Sequence, residues 1–442
     1  MARQSTAILL IAALLGASAQ AQLLPGNIGQ LPSQLPSQLP GQIAGGVVDP
    51  LLRDAPATIG GAVDTLSVRA ADTLDRVSLR DLRRARLDAL IRANRDVLEA
   101  DADGQPVRRG EIIALDASPD LLARLKAAGF ETLRTETMAE LGLRTHVLGV
   151  PRGETARKAL ERARKLAPEG VFDLNHVFEP AGGALEAADG AAAAGESGAA
   201  SDAPIGMIDG GVATHPALAG ASIRQRGFAA GGPKGSGHGT AIASLLVGRD
   251  GAFKGAATGR VLLAADVYGG NPAAGSAELI AQALGWLVKS GAPVITVSLV
   301  GPPNQLLARA VALAQQRGVT IVAAVGNDGP AAPPMYPASY PSVIAVTGVD
   351  GRDRALIEAG RARHLDFAAP GADMVAALPG KGYGKVRGTS FAAPLVAARL
   401  AAAQGAPARR VTTVASEAVK GKGNVGRGIV CKACRTVTAT AR

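Results

Sequence analysis

Aromatic residues are scarce in this chain: 7 Phe, 4 Tyr and 1 Trp amount to 3% of 442 residues. The core must therefore be built mainly from Ala, Val, Leu and Ile, which suits helices packed closely on a buried parallel sheet. Nucleic-acid binding is disfavoured because no basic stripe carries interleaved aromatic side chains. No stretch beyond the N-terminal region reaches about 18 uninterrupted apolar residues, so we expect no membrane anchor.

Cysteine is scarcer still, since the chain contains only Cys431 and Cys434. In a reducing compartment the Cys-x-x-Cys spacing indicates redox chemistry or half of a zinc site. A zinc site would need two further ligands, which the nearby sequence does not offer. Outside the cytoplasm the same spacing favours a local disulfide, and we expect one between Cys431 and Cys434.

The first 21 residues have the layout of a secretory signal peptide. Arg3 supplies a positive start, residues 7–15 form a short apolar run, and small residues at 17, 19 and 21 offer cleavage sites. The apolar run is too short to span a bilayer. We therefore expect a secreted protein, located in the periplasm or outside the cell.

Composition divides the remaining chain into six segments: a Pro/Gly-rich linker (22–62), a helical N-terminal extension (63–106), a compact unit (107–180), an Ala/Gly-rich linker (181–203), a large α/β region (204–430) and a C-terminal tail (431–442). In the extension, Leu82, Leu87, Leu90 and Ile91 fall on one face, which predicts a helix over 64–100. The unit 107–180 has the order βαββαβ and is predicted to be ferredoxin-like. The linker 181–203 is predicted to be flexible and accessible to proteases.

Short apolar strands alternate with helices from residue 204 onward. The predicted strands are 205–208, 261–267, 294–297, 319–325 and 343–346, and the predicted helices are 239–246, 277–289, 305–317 and 390–403. This alternation implies right-handed crossovers and a doubly wound, mostly parallel sheet with helices on both faces. The chemistry of such folds lies in loops at the carboxyl ends of the strands.

Three polar residues stand at strand–helix junctions of this region, in the order Asp209, His238 and Ser390. Each alone has an ordinary structural explanation, as a turn former or as a residue at a helix cap. Together they match a nucleophilic serine, the imidazole that removes its proton and the carboxylate that fixes the imidazole tautomer. Ser390 at a helix start also aims a backbone N–H at a developing oxyanion, and Asn327, after strand 319–325, offers a second donor.

Five stretches in sequence order resemble the subtilase family over about residues 203–430. They are Gly-Met-Ile-Asp-Gly-Gly-Val (206–212), Gly-His-Gly-Thr (237–240), Val-Ser-Leu (297–299), Ala-Ala-Val-Gly-Asn (323–327) and Gly-Thr-Ser (388–390). The resemblance implies a serine endopeptidase that cleaves peptide bonds through an acyl-enzyme. Asp209 would orient His238, which acts as base and then as acid. Ser390 would attack, and Asn327 and Ser390 would form the oxyanion hole.

The resemblance also implies that residues 107–180 are a propeptide, which makes the chain a self-inhibited precursor. The charge distribution agrees, because residues 1–201 carry 22 Lys+Arg and 25 Asp+Glu, whereas residues 202–442 carry 25 and 12. Net charges of opposite sign favour docking of the two parts. We expect the chain to process itself within 181–203, to act as a monomer on protein or peptide substrates, and to be inhibited by its own propeptide.

The same resemblance assigns the substrate-binding residues as Ser298, Leu299, Val300, Ala324, Val325, Gly326 and Met335. Val300 and Met335 fill space, which predicts a shallow apolar pocket for small or medium side chains; the alternative is that both merely pack. Gly210 stands where the family often has Ser.

No cofactor is required for the chemistry, and the scarcity of acidic loops does not support structural calcium sites or any other metal site.

Two other classes of function compete with an active endopeptidase. A catalytically silent binding protein on the same fold is the alternative interpretation, although the complete set of catalytic residue types argues against it. A lipase or esterase of the α/β-hydrolase type would need Gly-x-Ser-x-Gly and the order Ser, Asp, His. Neither feature is present in the sequence.

Overall fold

The computed structural model describes residues 76–181, 184–188, 203–380 and 382–436. The predicted signal peptide, the linker 22–62 and the start of the helical extension lie outside the described residues, as do most of the linker 181–203 and the last six residues. Residues 76–181 are referred to below as the leader and residues 203–436 as the large domain. None of the helices within these ranges is both long and apolar enough to cross a bilayer.

The leader contains three helices and five strands before its last residues. They are α1 Arg76–Ala93, β1 Leu98–Ala100, β2 Pro106–Leu115, α2 Pro119–Ala127, β3 Glu131–Met138, β4 Leu143–Gly149, α3 Ala156–Leu166 and β5 Val171–His176. The strands β3, β4, β2 and β5 are neighbours in that order and are all antiparallel. The predicted ferredoxin-like arrangement is thus confirmed. Ser118 and Thr155 cap α2 and α3 by accepting backbone N–H groups.

The helix predicted over 64–100 extends less far than the pattern indicated. α1 ends at Ala93, where the side chain of Asn94 donates to the carbonyl oxygen of Leu90 at 2.8 Å. Such side-chain bonds to the backbone compete with helix continuation. The chain turns, and Leu98–Ala100 pairs with residues 106–108 as strand β1. Leu98 is buried, but it is buried in a strand.

Side-chain alternation along β2 gives the leader sheet two buried faces. Ile112 and Ala114 belong to the leader's own core, which α2 and α3 complete. Ile113 and Leu115 point to the opposite face and share a buried cluster with residues of the large domain. The second face of the leader sheet is therefore covered by the large domain.

Two short strands follow the leader sheet. β6 Glu179–Pro180 pairs antiparallel with Leu299–Val300, and β7 Ala184–Ala188 pairs antiparallel with Tyr383–Arg387. The predicted flexible linker therefore contains a hydrogen-bonded strand near its beginning. Both added strands lie at the carboxyl end of the large sheet described next.

The large domain is built around one parallel sheet. The strands of the whole large domain are β8 Ile205–Asp209, β9 Ile223–Gly227, β10 Arg249–Asp250, β11 Phe253–Lys254, β12 Leu262–Asp266, β13 Val294–Val297, β14 Leu299–Val300, β15 Thr320–Ala324, β16 Ile344–Val349, β17 Phe367–Pro370, β18 Met374–Ala377 and β19 Tyr383–Arg387. Its helices are α4 Gly237–Val247, α5 Ala277–Lys289, α6 Gln305–Gln316, α7 Thr389–Ala402 and α8 Pro407–Glu417. Seven strands form the parallel sheet in the order β17-β16-β15-β13-β8-β12-β9. Since α4 and α7 cover one face and α5 and α6 the other, the predicted doubly wound α/β class is confirmed.

The C-terminal residues that the structure describes pack on the large domain. Cys431 and Cys434 are joined by a disulfide, and Cys434 is buried. The backbone N–H of Val375 donates to the carbonyl oxygen of Thr436 at 2.9 Å. Residues 431–436 thus continue the large domain along β18.

Candidate active site

The carboxylate of Asp209 and the imidazole of His238 lie side by side at the carboxyl end of the sheet. Asp209 is the last residue of β8 and is fully buried. His238 lies in the first turn of α4, and its Nδ1 is 2.9 Å from both carboxylate oxygens. Because an ionised carboxylate only accepts hydrogen bonds, Nδ1 carries the proton. The neutral ring is therefore held in the tautomer whose Nε2 is the basic nitrogen.

Two glycines allow the end of β8 to approach the start of α4. A Cβ on Gly239 would lie 2.2 Å from the carbonyl oxygen of Gly210, and a Cβ on Gly210 would lie 2.4 Å from Oγ of Ser236. Ser236 caps α4, because its Oγ accepts the N–H of Gly239 at 2.9 Å. A larger residue at 239 would meet the backbone of Gly210 and push α4, and with it His238, away from Asp209, whereas a larger residue at 210 would meet the side chain of Ser236.

Ser390 lies in the first turn of α7 and is fully buried. Gly388 precedes the helix with a φ of 148°, a conformation that favours glycine. The ring of Phe391 lies 5.4 Å from the ring of His238, measured between centroids. The Oγ of Ser298 donates to the backbone carbonyl of Ser390 at 3.0 Å. The start of α7 is thereby fixed beside the imidazole.

The side-chain amide of Asn327 has a defined orientation. Its Oδ1 accepts the backbone N–H of Thr389 at 2.9 Å. The hydroxyl of Thr389 lies 3.1 Å from both the N–H and the carbonyl oxygen of Gly326, which ties the loop after β15 to α7. The Nδ2 of Asn327 donates to the carbonyl oxygen of Ala181. The amide is therefore aimed at a peptide carbonyl of the leader.

The last residues of the leader form an added strand beside β14, and Ala181 binds both Ser298 and Asn327. The part of the large domain that holds this strand is called the cleft below. Ala181 donates its N–H to the carbonyl oxygen of Ser298 at 2.7 Å, and Phe178 donates to that of Gly275 at 2.8 Å. The hydroxyl of Tyr268 donates to the carbonyl oxygen of Phe178 at 2.9 Å. The segment is thus hydrogen-bonded through its main chain up to the carbonyl that meets Asn327.

Three of the predicted substrate-binding residues belong to the same buried cluster as Ala181. One buried cluster contains Ala181, Val300, Ala324 and Met335. A Cβ on Gly326 would lie 3.3 Å from the side chain of Val300 and 3.8 Å from that of Met335. Leu299 and Val325 pack in the cluster on the other face of the sheet. Ala181 is thus buried in the same apolar cluster as these residues, and it is 2% exposed.

Residues 184–188, which follow the dipeptide 182–183, are also hydrogen-bonded to the large domain. β7 pairs with β19 in a register that sets Ala184 opposite Arg387. Arg387 immediately precedes Gly388, the N-cap residue of α7. The main chain is therefore hydrogen-bonded to the cleft both before and after this dipeptide.

Sequence reasoning did not identify Thr389 or Tyr268 as contributors to this site. Thr389 lies within the recognised Gly-Thr-Ser stretch, so its role in orienting the Asn327 loop could have been suspected. A single tyrosine after a strand carries no comparable signal. Burial, and then the nearby charge of Asp209, raises the pKa of Tyr268 well above its ordinary value. Its hydroxyl therefore stays protonated and can donate to Phe178.

Metal ligands do not gather in this part of the molecule. Among the residues that the structure describes, no group of three or more His, Cys, Asp or Glu side chains is placed to hold a metal ion. The chemistry available to the site is that of an imidazole–carboxylate pair, a hydroxyl and an aligned amide. Acyl transfer by such groups needs no cofactor.

Sequence comparisons identify relatives of the large domain. A model of the subtilase family matches residues 201–420. Subtilisin Savinase from Lederbergia lenta is 36% identical over 200 residues, which cover 44% of this chain and 72% of that protein. Thermitase from Thermoactinomyces vulgaris is 35% identical over 221 residues, covering 48% and 78%. An alkaline protease from Alkalihalobacillus alcalophilus is 36% identical over 200 residues, but the match spans only 51% of its length.

A solved structure extends the likeness of fold beyond the large domain. Fervidolysin from Fervidobacterium pennivorans, a keratinolytic enzyme related to subtilisin, matches with a TM-score of 0.63 at 19% identity, over 76% of this chain and 62% of that one. At this level of identity the match concerns the fold alone. The family model and the two relatives covered over more than two thirds of their length are decisive: this chain belongs to the subtilase family and is a serine endopeptidase.

Proposed function

We propose that the protein is a secreted endopeptidase made as a self-inhibited zymogen, with Asp209, His238 and Ser390 as its catalytic triad. The Oγ of Ser390 attacks the carbonyl carbon of the scissile bond while Nε2 of His238 takes its proton. The imidazolium is stabilised by the Asp209 carboxylate, 2.9 Å from Nδ1. The carbonyl oxygen becomes an oxyanion, for which Asn327 Nδ2 and the backbone N–H of Ser390 are the proposed donors.

The remaining steps return the enzyme to its starting state. His238 gives the proton to the leaving amine, the C–N bond breaks, and the acyl group stays on Ser390. A water molecule then loses a proton to His238 and attacks the acyl carbonyl. The acid product leaves and Ser390 recovers its proton, so that one water is consumed for each peptide bond.

The contact between Asn327 Nδ2 and the carbonyl oxygen of Ala181 is the observation that carries this proposal. An oxyanion donor must lie beside the carbonyl that reacts. Ala181 is also held by Ser298 at 2.7 Å, and β6 pairs with β14. We therefore expect the first bond cleaved to be the one on the carboxyl side of Ala181. A small residue such as Ala before the scissile bond is the expected preference.

The contacts of the leader support its role as inhibitor after cleavage. Asp173 Oδ2 accepts the N–H of Gln305 at 2.6 Å, at the start of α6. Asn175 Oδ1 accepts the N–H of Glu278 at 3.3 Å, at the start of α5. Helix N-termini favour such acceptors, an anionic one above all. These bonds do not involve the scissile bond, so they persist once that bond is cut and keep the cleft filled.

Export and maturation complete the proposal. A signal peptide in residues 1–21 would deliver the chain to the periplasm or the medium, and the disulfide between Cys431 and Cys434 suits such an oxidising compartment. Residues 107–180 are the proposed propeptide domain, and the mature enzyme begins after Ala181. It would act as a monomer on protein or peptide substrates.

A comparison of the wild-type chain with Ser390→Ala tests this function. The wild-type chain should cut itself and hydrolyse casein, whereas Ser390→Ala should keep its leader and show no hydrolysis. Ser416→Ala, which removes an exposed hydroxyl from α8, is the matched control and should behave as wild type. Normal trimming of purified Ser390→Ala would contradict the proposal.

A further inference from the structure

Four charged side chains meet between α1, the leader strand in the cleft and the loop after β15. Arg83 Nε of α1 lies 3.0 Å from Asp328 Oδ2, and Arg86 Nε lies 3.0 Å from Glu179 Oε1. Arg86 Nη2 contacts both carboxylates, at 3.4 Å from Glu179 Oε2 and 3.3 Å from Asp328 Oδ1. The two arginines therefore stand between a carboxylate of the leader and a carboxylate of the large domain.

The burial of this cluster makes its charge balance important. Arg83, Glu179 and Asp328 are each less than one-tenth exposed. Buried charges are stable only when they are paired. Burial opposes ionisation of Glu179, but the charges of Arg86 and Arg83 lower its pKa below the ordinary value. Without the arginines, two carboxylates that contact the same guanidinium would lose their neutralising charges.

The cluster lies next to the proposed reaction centre. Glu179 is two residues before Ala181, and Asp328 directly follows Asn327, whose amide binds the Ala181 carbonyl. α1 lies outside the βαββαβ unit of residues 107–180. The contact is therefore separate from the docking of the leader sheet, and it acts on the strand that passes through the cleft.

We propose that Arg83 and Arg86 are positioning residues for self-cleavage. They neutralise Glu179 and Asp328 and so allow an acidic residue to occupy the third position before the scissile bond. This inference rests on the proposed function and adds a condition to it. The leader is a good substrate only while α1 supplies its arginine pair. Once α1 has left, Asp328 faces incoming substrates and disfavours an acidic residue at that position.

The test follows the first cleavage of the full-length chain carrying Arg83→Ala/Arg86→Ala. We expect the fragment ending at Ala181 to form at least about tenfold more slowly, because a broken buried ion pair leaves uncompensated charge. Arg80→Ala/Arg84→Ala is the matched control, since it removes two exposed arginines from the same helix. Its rate should stay within about twofold of wild type, as is usual for surface changes.

A third variant separates charge neutralisation from the packing of α1. Adding Glu179→Gln to Arg83→Ala/Arg86→Ala removes one of the two carboxylates. We expect most of the lost rate to return, whereas damage to helix packing would not be repaired by this change. Absence of any recovery, or a control variant as slow as the double variant, would overturn the proposal.

All of these changes lie in the leader, so every variant releases an enzyme of the same sequence. Hydrolysis of casein by that enzyme reports on the proposed function independently. A wild-type chain that cleaves neither itself nor casein would refute the proposed function. An active wild type whose double variant is processed at the control's rate would refute the role of the arginine pair alone.

Discussion

The leader and the large domain bury their sheets in different ways. The parallel sheet of the large domain is covered on both faces by its own helices. The leader sheet has its own helices on one face only, and its other face shares a cluster with the large domain. The large domain therefore covers its sheet with its own helices, whereas one face of the leader sheet depends on the large domain for its burial. Separation should cost the leader more than the enzyme.

If the large domain carries the chemistry alone, loss of its proposed oxyanion amide should have the largest effect. We expect Asn327→Ala to lower kcat of the released enzyme by about 10²–10³-fold with little change in KM, a magnitude taken from the corresponding amide of subtilisin. Steady-state kinetics on a peptide substrate measures it. Asn424→Ala, at an exposed position, is the matched control. A fall of only a few-fold in kcat would remove Asn327 from the mechanism.

Two neighbouring isoleucines of β2 sharpen the comparison between the faces of the leader sheet. Ile113→Ala removes burial against the large domain, at a cost of about 2 kcal/mol or more, roughly thirtyfold in affinity. Ile112→Ala leaves a cavity inside the leader's own core instead. Gel filtration of the processed protein over time should show the cleaved leader leaving much faster with Ile113→Ala. Equal acceleration by both changes would contradict the two-face description.

Protonation of Glu179 should weaken the binding of the cleaved leader to the enzyme only below pH 4.5. Arg86 and Arg83 lower the pKa of Glu179 in the complex, against the opposing effect of burial. A group whose pKa is lowered on binding stabilises the complex fully at pH values above its ordinary pKa of 4.5. That stabilisation is lost as the pH falls through the lowered pKa. Leader release measured from pH 7 to pH 3 should show this step in wild type and lack it in Glu179→Gln. A Glu179-dependent step already present above pH 5 would be inconsistent with the lowered pKa.

The smallest effect concerns the released enzyme, which has lost the arginine pair. Peptides with Ala before the scissile bond and Arg, Gln or Glu two residues earlier should be cleaved in that order of kcat/KM. The spread should be roughly two- to tenfold, because an exposed single charge is screened by solvent. High salt and Asp328→Asn should both reduce it. Equal rates for the Arg and Glu peptides at low salt would show that Asp328 does not act on this position.

The central elements of the large domain could be predicted because their local patterns are strong: a short run of β-branched residues in the strand 294–297, and apolar residues at helical spacing in the helix 277–289. Val294–Val297 and Ala277–Lys289 have their predicted bounds. Two strands of the sheet, Ile223–Gly227 and Phe367–Pro370, were not predicted, and both lie at its edges. The first alternates with charged and polar side chains, and the second is short and ends in proline. Edge strands tolerate both features. A search for apolar runs therefore does not detect these two strands.

In the candidate site, too, residues in short local motifs could be predicted, whereas contacts between residues far apart in the sequence could not. Asp209, His238 and Ser390 stand in short motifs at element boundaries, so the sequence alone could nominate them. The arginine pair could not be found in this way, because the bonds of Arg86 join residues 93 and 242 positions apart. A basic helix also resembles an ordinary solvated surface. Only the fold brings these charges to the cleft.

The mass of the leader fragment when it first appears is the most direct test of the central claim. The full-length wild-type chain should release a fragment whose last residue is Ala181, and Ser390→Ala should release none. A first fragment ending within 189–202, or the same fragment from Ser390→Ala, would contradict the assignment of Ala181 as the residue that the active site holds.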